Sequence, residues 1–296
     1  MSTVIEHASL GLMETTLWPT DPRRVPLGGE AFALHLPARS ATTAPPVVVV
    51  HGYRGLAVEY GPLAERLAAR RDVWVPELIT SGAGLSAVYA LLERVTKEAG
   101  GGPVDVVASS MGGFVAFSWS AARPSSVRGM TMLAPAAVPL QASWRIPGVT
   151  RLIGLRKVLD ADERNWEQSL LTASADDFMA ADTDHHLRIP SAWRQAVLDA
   201  QVSGVGTAAA AGRIHARKQI VRALMATLRG RGMARLLGRV TAPVLWLHGE
   251  PDNRVPFAPS REAARLLPSC EFEQLDGVGH LIHLECPDLV ADRVSR

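Results

Sequence analysis

Three kinds of side chain, far apart along the 296-residue chain, can do chemistry if they meet: a serine at a tight turn, carboxylates after a late strand, and a histidine near the end. The serine lies in Val106-Val107-Ala108-Ser109-Ser110-Met111-Gly112-Gly113, which reads as a buried strand passing through a small-residue turn directly into a helix. Ser110 stands at the tip of that turn. Small neighbours are needed because a sharp strand–turn–helix brings backbone close on both sides. The helix start offers the Met111 N–H and a partial positive charge to an oxyanion forming there. The carboxylates, Glu250 and Asp252, follow the apolar run Trp246-Leu247-His248-Gly249, and His280 closes Gly277-Val278-Gly279-His280. A hydroxyl nucleophile needs a base that titrates near neutrality and an acid that fixes the base's tautomer, so these types together predict acyl transfer through a serine.

Positioning them requires a sheet. Val47–Val50 is a β-branched run with no polar alternation, as in a strand buried on both faces. Strand-like runs at 72–78, 104–108, 127–133, 244–248 and 271–275 alternate with helical patterns at 62–67, 85–99, 111–122 and 259–267 and a last helix after Pro287. Residues 23–37 read as a hairpin around Gly28-Gly29. Such alternation predicts right-handed βαβ units and a mostly parallel sheet with helices on both faces. Loops at the carboxyl ends of such strands share one crevice, so Ser110, the acid and His280 should meet on one rim. The pattern lapses from 136 to 229, where only helix-like segments appear. Because Ser110 precedes that stretch and His280 follows it, residues 1–135 and 230–296 are expected to form one core, with 136–229 inserted as a helical cap.

The sequence resembles the α/β-hydrolase superfamily over essentially its whole length. The matching motifs are His51-Gly52 after the first parallel strand, Ser110-Met111-Gly112-Gly113, Gly249-x-x-Asp252 with Val255-Pro256, and Gly279-His280-x-x-His283-Leu284-Glu285-x-Pro287. The resemblance implies that Ser110 is the nucleophile, His280 the general base and Asp252 the orienting acid. It also implies an oxyanion hole made by the backbone N–H groups of Met111 and Tyr53, an ester-cleaving hydrolase, and no cofactor. The same triad serves thioesterases, acyltransferases and carbon–carbon bond hydrolases, and a non-catalytic binding protein can keep the fold. Two departures stand out: Ala108 replaces the first glycine of the elbow, and the Gly82-x-Gly84-x-Ser86 loop has Ile79 where the family has Asp.

Neighbouring candidates are assigned quieter roles. Glu250 sits nearer the strand than the motif's acid, His283 is expected to be structural, and His51 to shape its loop. Asp182, Asp184, His185 and His186 lack clean ligand spacing, so no metal is expected and a solvated loop is. Of Trp144, Trp166, Phe178 and Trp193, one or two are candidates to line an apolar acyl pocket, the three tryptophans first, or all pack the insertion's own core. The net charge of +2 hides segregation, with eight acids and one base in residues 160–184 against eight Arg or Lys and no acid in 213–239. The balance argues against a nucleic-acid partner. The acidic and basic stretches are either solvated or neutralise each other across the cap, or else the basic one is a rim for an anionic partner: a phosphopantetheine-bearing carrier, an acidic substrate or a membrane surface. Two cysteines, Cys270 and Cys286, make no disulfide framework, the N-terminus lacks the signature of a secretory leader, and no apolar run is long enough to span a membrane. A cytoplasmic protein is expected, with a small ester or acyl substrate.

Overall fold

In the computed structural model, which describes residues 17–138, 169–228 and 231–295, the uninterrupted valines of Val47–Val50 form a fully buried strand. It lies inside an eight-stranded sheet built from β1 (Arg23–Gly28), β2 (Ala31–Leu36), β3 (Val47–Val50), β4 (Val73–Pro76), β5 (Val104–Ser109), β6 (Val127–Leu133), β7 (Val244–Gly249) and β8 (Cys270–Leu275). The order is β1-β2-β4-β3-β5-β6-β7-β8. The hairpin β1–β2 and its junction with β4 are antiparallel, and every other pair is parallel. Side chains alternate between two apolar clusters, Val48, Val50, Val106 and Ala108 entering one and Val47, Val49 and Val107 the other. Both faces of the central strands are therefore removed from water, which is why their sequence shows no polar alternation.

The helix Ser110–Ala122 follows β5 without a linking residue and is buried from Met111 to Ser120. It has no polar stripe because the sheet and its neighbouring helices cover it all round. Its first turn can approach the sheet only as glycine. A Cβ on Gly112 would stand 2.3 Å from the Val50 carbonyl oxygen, and one on Gly113 would stand 2.2 Å from Pro135 Cβ.

Several boundaries differ from the sequence expectation, two elements most. The strand expected over 72–78 ends at Pro76, because the chain turns there and sends the Glu77 carboxylate inward. The helix expected from Pro259 begins two residues earlier, at Phe257. Between β6 and β7 the described residues 169–228 contain no strand; they form the helices Ala175–Ala180, Ser191–Ser203 and Ala208–Thr227 with a short 3₁₀ turn at His186–Arg188. No helix among the described residues is long and apolar enough to cross a membrane.

Candidate active site

Ser110 is one of three non-glycine residues with positive φ among the described residues, at +50°. That left-handed conformation is costly for a residue with a Cβ and persists only where its surroundings over-determine it. Here the Ser110 carbonyl accepts the Ala136 N–H at 2.7 Å, tying the turn to the end of β6. Ser109, which lines the same cleft, has its hydroxyl hydrogen-bonded to that of Tyr60. Met111 occupies the first turn of the helix, where backbone N–H groups have no intrahelical acceptor.

Asp252 lies three residues beyond β7 and is buried. Its Oδ1 accepts the N–H groups of Arg254 at 2.7 Å and Val255 at 2.8 Å, and its Oδ2 lies 2.7 Å from His280 Nδ1. Burial opposes its ionisation, but His280 and the two N–H groups outweigh burial and hold the carboxyl below the usual range. Glu250 is exposed on the turn and takes no part. Beneath Asp252, Trp246 Nε1 donates to His248 Nδ1 at 3.1 Å, so His248 carries its proton on Nε2, which lies 3.0 Å from the Val255 carbonyl. That ring is fully buried and held below its ordinary pKa chiefly by burial.

The His280 loop is fixed by Glu285, whose carboxylate accepts the N–H groups of Gly279 at 2.7 Å and Leu281 at 3.1 Å and the Thr183 hydroxyl at 2.9 Å. A Cβ on Gly249 would lie 1.9 Å from the Val278 carbonyl oxygen, so the acid and histidine loops touch backbone to backbone.

Ser110, Met111, Tyr53 and His280 line one cleft of about 290 Å³. Much of its apolar wall, Phe178, Met179, Val197, Val221, Leu224 and Met225, comes from between β6 and β7, and Val255, Leu281 and Leu284 complete it from the other side of the insertion. Trp193 is half-buried against one of the core clusters and does not line the cleft, while Trp144 and Trp166 lie outside the described residues. Asp182, expected in a solvated loop, is half-exposed; it also lines the cleft and pairs with Arg254 at 3.3 Å. Burial raises its pKa, with Arg254, His280 and Arg54 opposing. Among the described residues no group of three or more His, Cys, Asp or Glu side chains converges as a metal site.

His51 shapes its loop. Its Nδ1 lies 3.1 Å from the Gly52 carbonyl, and its Nε2 accepts the Leu78 N–H at 3.1 Å. Glu77, buried beneath it, accepts the Ala57 N–H at 2.9 Å. Burial pulls the Glu77 pKa up, but His51, Arg213 and the Ala57 N–H together bring it below the ordinary value. Spacing from Gly82 points to Ile79 as the place for this acid. The carboxylate sits two residues earlier, and Ile79 packs on Gly212 of the helix Ala208–Thr227. His283 is stacked on Tyr60, ring centroids 4.1 Å apart, and neither ring nitrogen has a partner among the described residues. Burial, with His280 and His51 nearby, pushes its pKa down to about 3, so it is a neutral ring. Glu59, which no motif marks, also lines the cleft; its carboxyl is pushed up to about 8, chiefly by burial.

Comparison with known proteins places the chain among hydrolases. The model of the alpha/beta hydrolase family matches residues 47–293. A pimeloyl-[acyl-carrier protein] methyl ester esterase of Xanthomonas campestris pv. campestris is 27% identical over 275 residues, covering 85% of this chain and 94% of its own. Among solved structures, a putative lipase of Acinetobacter baumannii superimposes with a TM-score of 0.72 at 19% identity, covering 97% of this chain and 94% of its own. A 2-hydroxy-6-oxo-6-phenylhexa-2,4-dienoate hydrolase of a Rhodococcus species does so with a TM-score of 0.70 at 21% identity, covering 92% of this chain and 96% of its own.

Proposed function

The chain belongs to the alpha/beta hydrolase family, and we propose that it cleaves a small carboxylic ester through an acyl-enzyme on Ser110. The observation that carries this is the buried 2.7 Å contact between His280 Nδ1 and Asp252, in the cleft that also holds Ser110 on its left-handed turn. Asp252 keeps the His280 proton on Nδ1, leaving Nε2 as the base. Ser110 Oγ attacks the ester carbonyl and gives its proton to Nε2. The oxyanion receives the Met111 and Tyr53 N–H groups and collapses with expulsion of the alcohol, which leaves with that proton. Water repeats the sequence on the acyl-enzyme, releasing the acid and restoring Ser110.

Residues 1–135 and 230–296 act as the core and 136–229 as a cap over it. The apolar wall from Phe178 to Met225 suits an aliphatic group, and a volume near 290 Å³ suits a small one. Free Cys270 and Cys286 fit a reducing, cytoplasmic setting. The experiment is labelling with a fluorophosphonate and turnover of p-nitrophenyl butyrate. Wild type should gain one adduct at Ser110, and Ser110→Ala should lose both adduct and turnover. Full turnover by Ser110→Ala would end this proposal.

A second reading is that the acyl group arrives on an acidic carrier protein. Two observations favour it: the eight basic residues of 213–239, and the name of the Xanthomonas relative, whose ester is carried on such a protein. A carrier held by charge must weaken with salt, whereas a preference for simple esters independent of salt would count against it.

A further inference from the structure

Tyr53 lies in a tight turn closed by the Gly55 N–H and the Gly52 carbonyl, 3.2 Å apart. Arg54, within that turn, has φ +60°. A side chain there is strained, and the shape survives only if neighbouring groups hold it. From below, Glu77 accepts the Ala57 N–H at 2.9 Å, and His51 accepts the Leu78 N–H at 3.1 Å. From above, the helix Ser191–Ser203 reaches across the cleft with Gln201. Its Nε2 donates to the Arg54 carbonyl at 2.5 Å and to Glu59 Oε1 at 3.0 Å. A carboxamide has two N–H donors, and both are used here. Glu59 is itself buried, in the 3₁₀ turn Ala57–Tyr60 that continues the same loop.

We propose that Gln201 is a positioning residue for the oxyanion hole: its amide, bridging the Arg54 carbonyl and Glu59, holds the 52–55 turn in the shape that aims the Tyr53 N–H into the cleft. This rests on the ester-hydrolase mechanism above. It makes the helices between β6 and β7 part of the catalytic centre as well as the wall of its pocket. Misplacing a catalytic donor by an ångström is enough to cost about 100-fold in rate.

Gln201→Met keeps the length of the side chain and removes both donors. Its kcat for p-nitrophenyl butyrate, per site titrated with fluorophosphonate, should fall by roughly 10- to 100-fold, with KM changed less than about threefold. A trifluoromethyl ketone, which forms the tetrahedral oxyanion on Ser110, should bind more weakly by the same factor. Glu59→Leu should behave alike. Glu59→Gln, which keeps an acceptor for the amide, should fall by less than about threefold. There is also a pH signature. Glu59 is neutral below about pH 8; burial is the main cause, Glu77 and Asp182 add to it, and Gln201 and the Leu56 N–H oppose it. Above that pH its charge enters a cleft where an oxyanion must form, so wild type should lose kcat there and Glu59→Gln should not. Arg54 faces the same cleft, and Tyr60 beside Glu59 stays protonated, its pKa raised chiefly by burial.

Gln201→Met with kcat within twofold of wild type would overturn the assignment, as would a raised KM with kcat intact, which would make Gln201 a substrate contact. Ketone affinity that fails to follow kcat would overturn it too. If Gln201→Met does not fold, the Glu59→Leu and Glu59→Gln pair decides from the other side of the bridge. A dead Ser110→Ala beside an unaffected Gln201→Met removes only the positioning role; an active Ser110→Ala removes the mechanism beneath it.

Discussion

Asp252→Asn exchanges one oxygen for an amide nitrogen, and the surroundings of Asp252 decide which. Oδ1 already faces two donors, the N–H groups of Arg254 and Val255 at 2.7 and 2.8 Å. An amide nitrogen there would set donors against donors, so the carboxamide oxygen takes that place and the NH₂ turns to His280 Nδ1. Nδ1 must then accept, the ring proton moves to Nε2, and the base facing Ser110 is lost. Removing the carboxylate in this way from a Ser-His-Asp triad costs about 10⁴ in kcat, or about 5 kcal/mol of transition-state stabilisation. The fold should tolerate the change, because shape and both backbone hydrogen bonds are kept. The assay is kcat for p-nitrophenyl butyrate at pH 7.5, with circular dichroism and a urea midpoint to show native protein. A folded Asp252→Asn variant that keeps more than a tenth of wild-type kcat would refute the assignment of Asp252 as the tautomer-fixing acid.

Two further outcomes follow from the packing. His283 is pushed down to about pKa 3 by burial, whereas an unfolded histidine titrates near 6.5. Below pH 6.5 the unfolded chain therefore binds a proton the folded chain refuses, and stability drops by about 1.4 kcal/mol per pH unit, or about 2–3 kcal/mol by pH 4.5. His283→Phe, which keeps the stack on Tyr60, should remove that part of the loss between urea midpoints at pH 7 and 4.5. His35 and His248, also lowered mainly by burial, leave a residual slope, and an unchanged slope in the variant would contradict the account. Gly112→Ala should abolish activity and cost at least about 3 kcal/mol, since the new methyl meets backbone oxygens of Val50 and His51 at 2.3 and 2.5 Å. A stable, active Gly112→Ala enzyme would show that the elbow can yield.

Legibility followed the type of constraint. Val47–Val50, β6 and the turn at Ser110 could be read because burial on both faces and close backbone approach leave direct marks on composition. The meeting of Asp252 with His280 followed from motif order, since β7 and β8 are parallel neighbours. Glu77 was not legible, because the motif spacing counted from Gly82 falls on Ile79 and nothing local marks a carboxylate that turns inward to accept the Ala57 N–H. Glu59 and Gln201 carry no motif, and their partners lie 142 residues apart in the chain. Asp182 is part-exposed, as a solvated loop requires, but that it also lines the cleft was not legible, because local sequence cannot report a cleft assembled from distant segments.

The backbone contact between the Gly249 and Val278 loops has a genetic counterpart. Ser110, Asp252 and His280 follow β5, β7 and β8 of one sheet, while much of the apolar wall, from Phe178 to Met225, comes from the stretch of coding sequence between β6 and β7. On the proposed mechanism, recombination within that stretch can exchange substrate preference and spare the Asp252–His280 pair if the Thr183 contact to Glu285 and the Asp182 contact to Arg254 are kept. The Gln201 bridge sets the condition on such exchange: a transplanted helix must bring its own donor for the Arg54 carbonyl, or the new pocket inherits a slackened oxyanion turn.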